Sequence, residues 1–264
     1  MNSAGRGRKT ACMVARWEKI RISDEPKQKR LRNLSKPERA AIEAVARRFS
    51  VKPEGDDPLS GAYRPGNGKR VAIQIATLTP GGAGKGKAAK PHLRFDKVAT
   101  RVLESLRSAL EKMAPGGATV LFAISAPIRL ASKTTAALET KIQDLLERGS
   151  RDRAIKAAIN GNRVTIRILR TAAARAPRMI GFVHNADSDP IPLFNLTRDL
   201  LRALRAKGGR ERRTAPVRWL VVRGAPEVSW FETYRCIYWQ MRTTHDYDKV
   251  VLMSGDGKAE VLAG

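Results

Sequence analysis

The sequence predicts an α/β domain built on a mixed, largely parallel sheet. Helices cover both faces, a C-terminal β-hairpin closes the fold, and a basic helical N-terminal arm precedes it. Three observations carry this. From residue 71 onward, strand-length apolar or alternating runs recur between stretches with apolar residues at helical spacing. Residues 119–125 and 179–184 are continuously apolar, as expected of strands covered on both faces. The last two runs are separated by Gly255-Asp256-Gly257, a hairpin turn.

The arm spans residues 1–52. Ser35-Lys36-Pro37-Glu38 forms a capping box with proline in the first turn, which predicts a helix running to about Phe49. Ile42, Val45, Ala46 and Phe49 share one face of it. A weaker helix spans Thr10 to Ile22, and Lys27-Gln28-Lys29-Arg30 links the two. The linker is too long, and base-reading Gln/Asn too scarce, for a helix-turn-helix, so a solvated basic arm is the simpler reading. The Arg-rich opening, with its first acidic residue at Glu18, also resembles an organellar presequence.

Residues 53–69, rich in Pro, Gly and Asp, read as a linker, and 70–264 as the α/β domain. Strand 71–78 comes first, then helix 95–113 ending at Pro115-Gly116-Gly117. Strand 119–125 follows, then a helix from Ser132 to Arg148. Strand 163–170 alternates Val164, Ile166 and Ile168 against Arg163, Thr165 and Arg167, and no helix separates it from strand 179–184. That gap predicts a second hairpin. Helix 195–206, strand 217–222, aromatic-rich helix 228–241, strand 249–254 and strand 258–262 complete the chain. The alternation does not fix the strand order.

Composition narrows the function classes. At 264 residues and 42% hydrophobic, the chain has enough apolar material for one large or two small cores, which excludes wholesale disorder. No apolar run approaches the roughly 20 residues of a membrane helix, and a soluble, cytoplasmic protein is expected. Cys12 and Cys236 are too few for a disulfide scaffold and lack zinc spacing. With His92, His184 and His245 the only histidines, no dense metal box is available.

Charge is the loudest signal. Against 25 Asp+Glu stand 51 Lys+Arg, a net +26, and 33 of the 51 are Arg. GC-rich coding explains Arg over Lys but not the twofold excess of base over acid. Residues 1–52 hold 15 basic and 5 acidic side chains, and residues 149–184 hold 8 basic and only Asp152. Such blocks attract polyanions by counterion release. The expected phosphate contacts are Arg151, Arg153, Lys156, Arg163, Arg167, Arg170, Arg175 and Arg178. The alternative for this strand is a solvated edge protected by charge.

Gly81-Gly82-Ala83-Gly84-Lys85-Gly86-Lys87 follows the first strand and matches most of a phosphate-cradling loop. Ala88 stands where a magnesium-holding hydroxyl belongs and Pro91 interrupts the helix due there, so NTP hydrolysis is not expected. Lys85 and Lys87 remain candidates for a nucleic-acid backbone.

Ligands of open α/β sheets bind beyond the carboxyl ends of the strands. Ser125, Arg129, His184, Arg223, Glu227 and Asp256 fall there, and His184-Asn185-Ala186-Asp187-Ser188-Asp189 is the densest polar cluster. Asp187 and Asp189 are spaced to share Mg²⁺ or Mn²⁺, with His184 beside them, for phosphodiester cleavage. Before Pro190, the same residues are ordinary turn formers. No Glu-x-Lys lies on a strand near these aspartates, which weakens a restriction-nuclease reading, and no G-x-S-x-G elbow supports a serine hydrolase. Helix 228–241 holds Trp230, Phe231, Tyr234, Tyr238 and Trp239. It reads as a core helix enclosing Cys236, with a stacking platform for unpaired bases as the alternative.

The reading is a nucleic-acid-binding protein that contacts phosphates without evident sequence readout. Its rivals are a divalent-metal nuclease or phosphohydrolase and a non-catalytic module whose basic face docks an acidic protein.

Overall fold

In a computed structural model, the chain is an α/β protein with two mixed sheets rather than one. The structure describes residues 36–53, 62–65, 71–78, 92–149, 152–170, 176–205, 217–225, 230–241, 245–255 and 257–263. Within these, the order is α1 (Lys36–Arg48), β1 (Val51–Pro53), β2 (Ala62–Pro65), β3 (Val71–Thr77), α2 (Lys97–Met113), β4 (Ala118–Ala126) and α3 (Ala131–Glu147). Then come β5 (Ile155–Ile159), β6 (Asn162–Arg170), β7 (Met179–Asn185), α4 (Ile191–Arg205), β8 (Val217–Ala225), α5 (Phe231–Met241), β9 (Lys249–Ser254) and β10 (Ala259–Ala263).

The six-stranded sheet runs β1-β2-β3-β8-β9-β10 and the four-stranded sheet β5-β6-β4-β7. In the large sheet β3, β8 and β9 are mutually parallel, flanked by antiparallel β1-β2 on one side and the β9-β10 hairpin on the other. In the small sheet β4 and β7 are parallel, and β6 pairs antiparallel with both β4 and β5. The small sheet and its helices are therefore inserted between β3 and β8.

Three apolar clusters fill the spaces. α2 and α3 cover one face of the small sheet: Val102, Leu106, Leu110, Leu138 and Ile142 meet Val120, Phe122, Ile124 and Ile166. The i, i+3, i+4 rhythm of α2 puts Ala99, Val102, Leu106 and Leu110 on that face, and Asp96 caps the helix by accepting from Ala99 N at 3.0 Å. Between the sheets, α4 and α5 share a second cluster with Leu121, Ile180 and Phe182 of the small sheet and Leu220, Val222, Val250 and Leu252 of the large one. On the outer face of the large sheet, α1 packs Ala41, Ile42 and Val45 on Val71, Ile73, Trp219, Val221 and Val251. The period-2 alternation of β8 and β9 divides these residues between two cores.

This third cluster corrects the expected arm and linker. The described residues from Lys36 onward fall in one compact unit, and α1, β1 and β2 belong to it. Ile42, Val45 and Phe49 are too apolar a stripe for a solvated arm, and they bury it. β1, at the end of the expected arm, and β2, within the expected linker, extend the large sheet as a short edge, where Pro53 is tolerated at a strand end. Ser35, the weaker helix over 10–22 and the basic stretch 27–30 lie outside the described residues.

The second hairpin is also elsewhere. β4 lies between β6 and β7, so those two do not pair. The hairpin is β5-β6, closed by Asn160-Gly161 with Ile159 opposite Asn162. Both turn residues have positive φ, 50° and 76°, the geometry a two-residue type I′ turn demands.

Candidate functional site

β4 and β7 run parallel, and their carboxyl ends open beside the start of α4. The register sets Ser125 opposite His184, and Ser125 Oγ donates to the Arg163 carbonyl at 3.4 Å. Period-2 alternation places Arg163, Ser125 and His184 on the face of the small sheet that looks toward α4. Lys156 joins them there, opposite Thr165 in the β5-β6 register.

His184 is 4% exposed. Its Nδ1–H donates to the Asn185 carbonyl at 2.8 Å, with Ser188 Oγ 2.9 Å from the same nitrogen. A carbonyl only accepts, so the proton sits on Nδ1 and the neutral ring keeps its lone pair on Nε2. Burial lowers the His184 pKa from its ordinary 6.5. The nearby Arg163 charge acts in the same direction, while the Asn185 bond and the Asp189 and Asp187 charges oppose it.

The two aspartates are engaged locally. Asp187 is exposed and accepts from the Asn185 side-chain amide. Asp189 accepts from Ile191 N at 3.2 Å, capping the start of α4, and lies 3.8 Å from Lys156 Nζ. Among the described residues, no three His, Cys, Asp or Glu gather into a group fit to hold a metal ion. Glu227 and Asp256 lie outside them.

The basic segment divides into three. Arg163 is exposed and donates to the Ala186 carbonyl, beside Lys156. At the other end of β6, about 25 Å away along the strand, Arg170 is exposed close to Gly149. Near it, Arg178 donates to the Pro115 carbonyl at 2.7 Å. Arg153 is exposed just before β5. Arg151, Arg175, Lys85 and Lys87 lie outside the described residues.

Arg167 departs from the expected exposed face. It is 8% exposed, its Nε bonded to Asp152 Oδ1 at 2.6 Å and its Nη1 to Asn195 Oδ1 at 3.1 Å. β6 is an inner strand, and α4 covers the face on which Arg167 and Thr165 sit, so that face is not solvent. Arg167 is a structural ion pair that ties β6 to the segment before β5 and to α4.

Sequence reasoning overlooked two further contributors. His92–Arg94 adds to the free edge of β7. Leu93 bridges His184, Arg94 N donates to the Val183 carbonyl at 2.8 Å, and Asn185 N donates to the His92 carbonyl at 3.1 Å. Arg94 and Lys97 thereby join the strand-end region, where they line a cavity of about 500 Å³ with Pro127, Asn185 and Ala186. Asn162 bonds Arg129 N at 2.8 Å, the Arg129 carbonyl at 3.0 Å and Thr134 Oγ1 at 3.0 Å, pinning the β4–α3 turn to β6. No sequence motif marks Arg94; the Asn160-Gly161 hairpin signal would have drawn attention to Asn162.

Comparison with known protein families, curated proteins and solved structures finds no match to the chain.

Proposed function

We propose that this protein binds nucleic acid through its phosphates, with Arg163 at the centre of the contact. One observation supports this most. Asp152, the lone acidic residue of segment 149–184, is held by buried Arg167, so the segment's exposed arginines keep their charge. Arg153, Arg163 and Arg170 form no ion pair among the described residues. A guanidinium exposed in this way presents a fork matched to phosphate oxygens. Arg94 and Lys97 add charge at the same strand ends.

The test is titration of labelled single- and double-stranded DNA and RNA at about 50 and 200 mM salt. Affinity that collapses between the two concentrations supports the reading. Salt-independent binding overturns it, as does capture of an acidic protein that survives nuclease treatment with no nucleic acid bound. Metal-dependent cleavage that is lost in Asp187→Asn/Asp189→Asn would promote the phosphohydrolase reading in its place.

A further inference from the structure

Among the described residues, five large hydrophobic side chains stand exposed, and three of them gather at one end of the small sheet. Leu130 is 61% exposed, Phe95 66% and Val98 46%. Leu130 closes the turn from β4 into α3. Phe95 and Val98 flank the Asp96 cap of α2, just beyond the point where Arg94 N donates to the Val183 carbonyl of β7 at 2.8 Å. The starts of the two helices lie side by side. Val98 lines the strand-end cavity with Pro127 and Ile128, and Arg101 and Val102 of α2 border a groove with Ala131 and Ser132 of α3. A single exposed leucine is ordinary, but three exposed apolar side chains on neighbouring segments mark a surface with an occupant.

Leu130 is held outward by its surroundings. Its φ of 48° and ψ of 52° are left-handed, a strained choice for leucine. The turn is fixed on both sides of it. Asn162 accepts from Arg129 N at 2.8 Å and donates to the Arg129 carbonyl at 3.0 Å. Thr134 Oγ1 donates to the same carbonyl at 2.8 Å, and Thr134 N donates to the Leu130 carbonyl at 2.8 Å. A leucine kept in strained backbone without gaining burial points to function rather than packing.

Cations surround these side chains. Residues 92–103 carry Arg94, Lys97 and Arg101, and residues 127–138 carry Arg129 and Lys133, against one carboxylate, Asp96. Asp96 is engaged in capping α2. The five cations are exposed and form no ion pair among the described residues. This mixture selects among occupants. Leu130 and Val98 offer a nucleic-acid base no ring to stack on. A second copy of the chain would set five cations against five. An anionic bilayer supplies both halves of the match, phosphates for the cations and hydrocarbon for the apolar side chains.

We propose that this surface docks on an anionic phospholipid bilayer, with Phe95, Val98 and Leu130 entering the headgroup boundary and the five cations meeting lipid phosphates. The inference goes beyond the nucleic-acid reading and does not rest on it. Arg94 and Lys97 serve either partner, so the test turns on the apolar side chains.

The experiment sediments the full chain with phosphatidylcholine vesicles, with and without about 30% phosphatidylserine. The wild type should sediment with the anionic vesicles and stay in solution with the neutral ones. Phe95→Ser/Val98→Gln/Leu130→Asn should bind anionic vesicles about tenfold more weakly and keep its oligonucleotide affinity within about twofold. Asparagine tolerates left-handed backbone, so Leu130→Asn alone should weaken vesicle binding while the unfolding temperature stays the same or rises. That separates lost insertion from damage to the fold. A wild type that ignores anionic vesicles overturns the proposal, as does a triple variant that binds them as the wild type does. Equal weakening toward poly-glutamate would assign the surface to an acidic protein instead. Arg163→Ala should leave vesicle binding within about twofold, so the lipid and nucleic-acid readings fail separately.

Discussion

The two sheets use their cations in opposite ways. In the large sheet, basic side chains are drawn into the architecture. Lys249 Nζ sits 4.5 Å from the Phe49 ring centroid and 4.7 Å from that of Trp219, and the two rings meet edge to face at 5.3 Å. That clamp fastens the end of α1 to β8 and β9. Arg235 is neutralised by Glu260 of β10. In the small sheet, Arg153, Arg163 and Arg170 remain exposed and unneutralised among the described residues. A net charge of +26 thus says little until each cation is placed. The contrast recurs within β6, where Arg163 faces solvent and Arg167, on the same face, is buried against Asp152.

That contrast can be tested from the top down. Phe122 is fully buried beneath α2 and α3, and Phe122→Ala should cost about 3–5 kcal/mol in chemical denaturation. A loss under about 1 kcal/mol would mean that the small sheet has no core of its own. Next, Asp152→Ala strands a buried guanidinium and should cost about 1–3 kcal/mol, with nucleic-acid affinity unchanged or slightly raised. Arg163→Ala should show the reverse pattern. Stability should stay within about 0.5 kcal/mol while affinity drops severalfold and the log–log salt slope shrinks by about 1. Equal behaviour of the two variants would erase the distinction between structural and ligand-facing arginines.

The smallest effect is in pH. Burial lowers both His184 and His245 from 6.5 in the folded chain. The unfolded chain then binds more protons just below pH 6.5, so stability should fall as pH drops from about 7 and level off below the folded values. His184→Gln should flatten part of that slope. A slope that is unchanged in His184→Gln and His245→Gln together would contradict the desolvation of buried His184 and half-buried His245.

Much of the fold was legible because periodicity reports burial directly. β3, α2, β4, α3 and β6 to β10 fall within a few residues of their predicted spans, since runs such as 119–125 cannot face water. α4 starts earlier than predicted, because proline at 190 and 192 suits a helix start as well as a turn. β1, β2 and β5 were missed as short edge or hairpin strands whose pairing partners, not their own residues, hold them. β5 had a signal in Asn160-Gly161 that was passed over.

The site was only half visible. The sequence brought His184, Asp187 and Asp189 together because they are neighbours in the chain. It could not show that Asp189 would cap α4, or that Arg167 would be covered, since both depend on where α4 lies. Arg94 carries no local pattern, and its place beside the end of β7 is purely tertiary.

Splitting one sheet around another has a kinetic consequence. Val71 pairs with Val217, so β3 leaves the ribosome long before its parallel partner exists. The small sheet closes over shorter loops, with β4, β5, β6 and β7 contiguous in the chain. Loop-closure entropy therefore orders assembly: the inserted layer forms early and the large sheet zips up last. Until then, among the described residues, β1, β2 and α1 are what shelter the apolar strand Val71–Thr77 from pairing with another nascent chain. The short N-terminal flank thus acts as a guard during synthesis as well as a lid on the finished core.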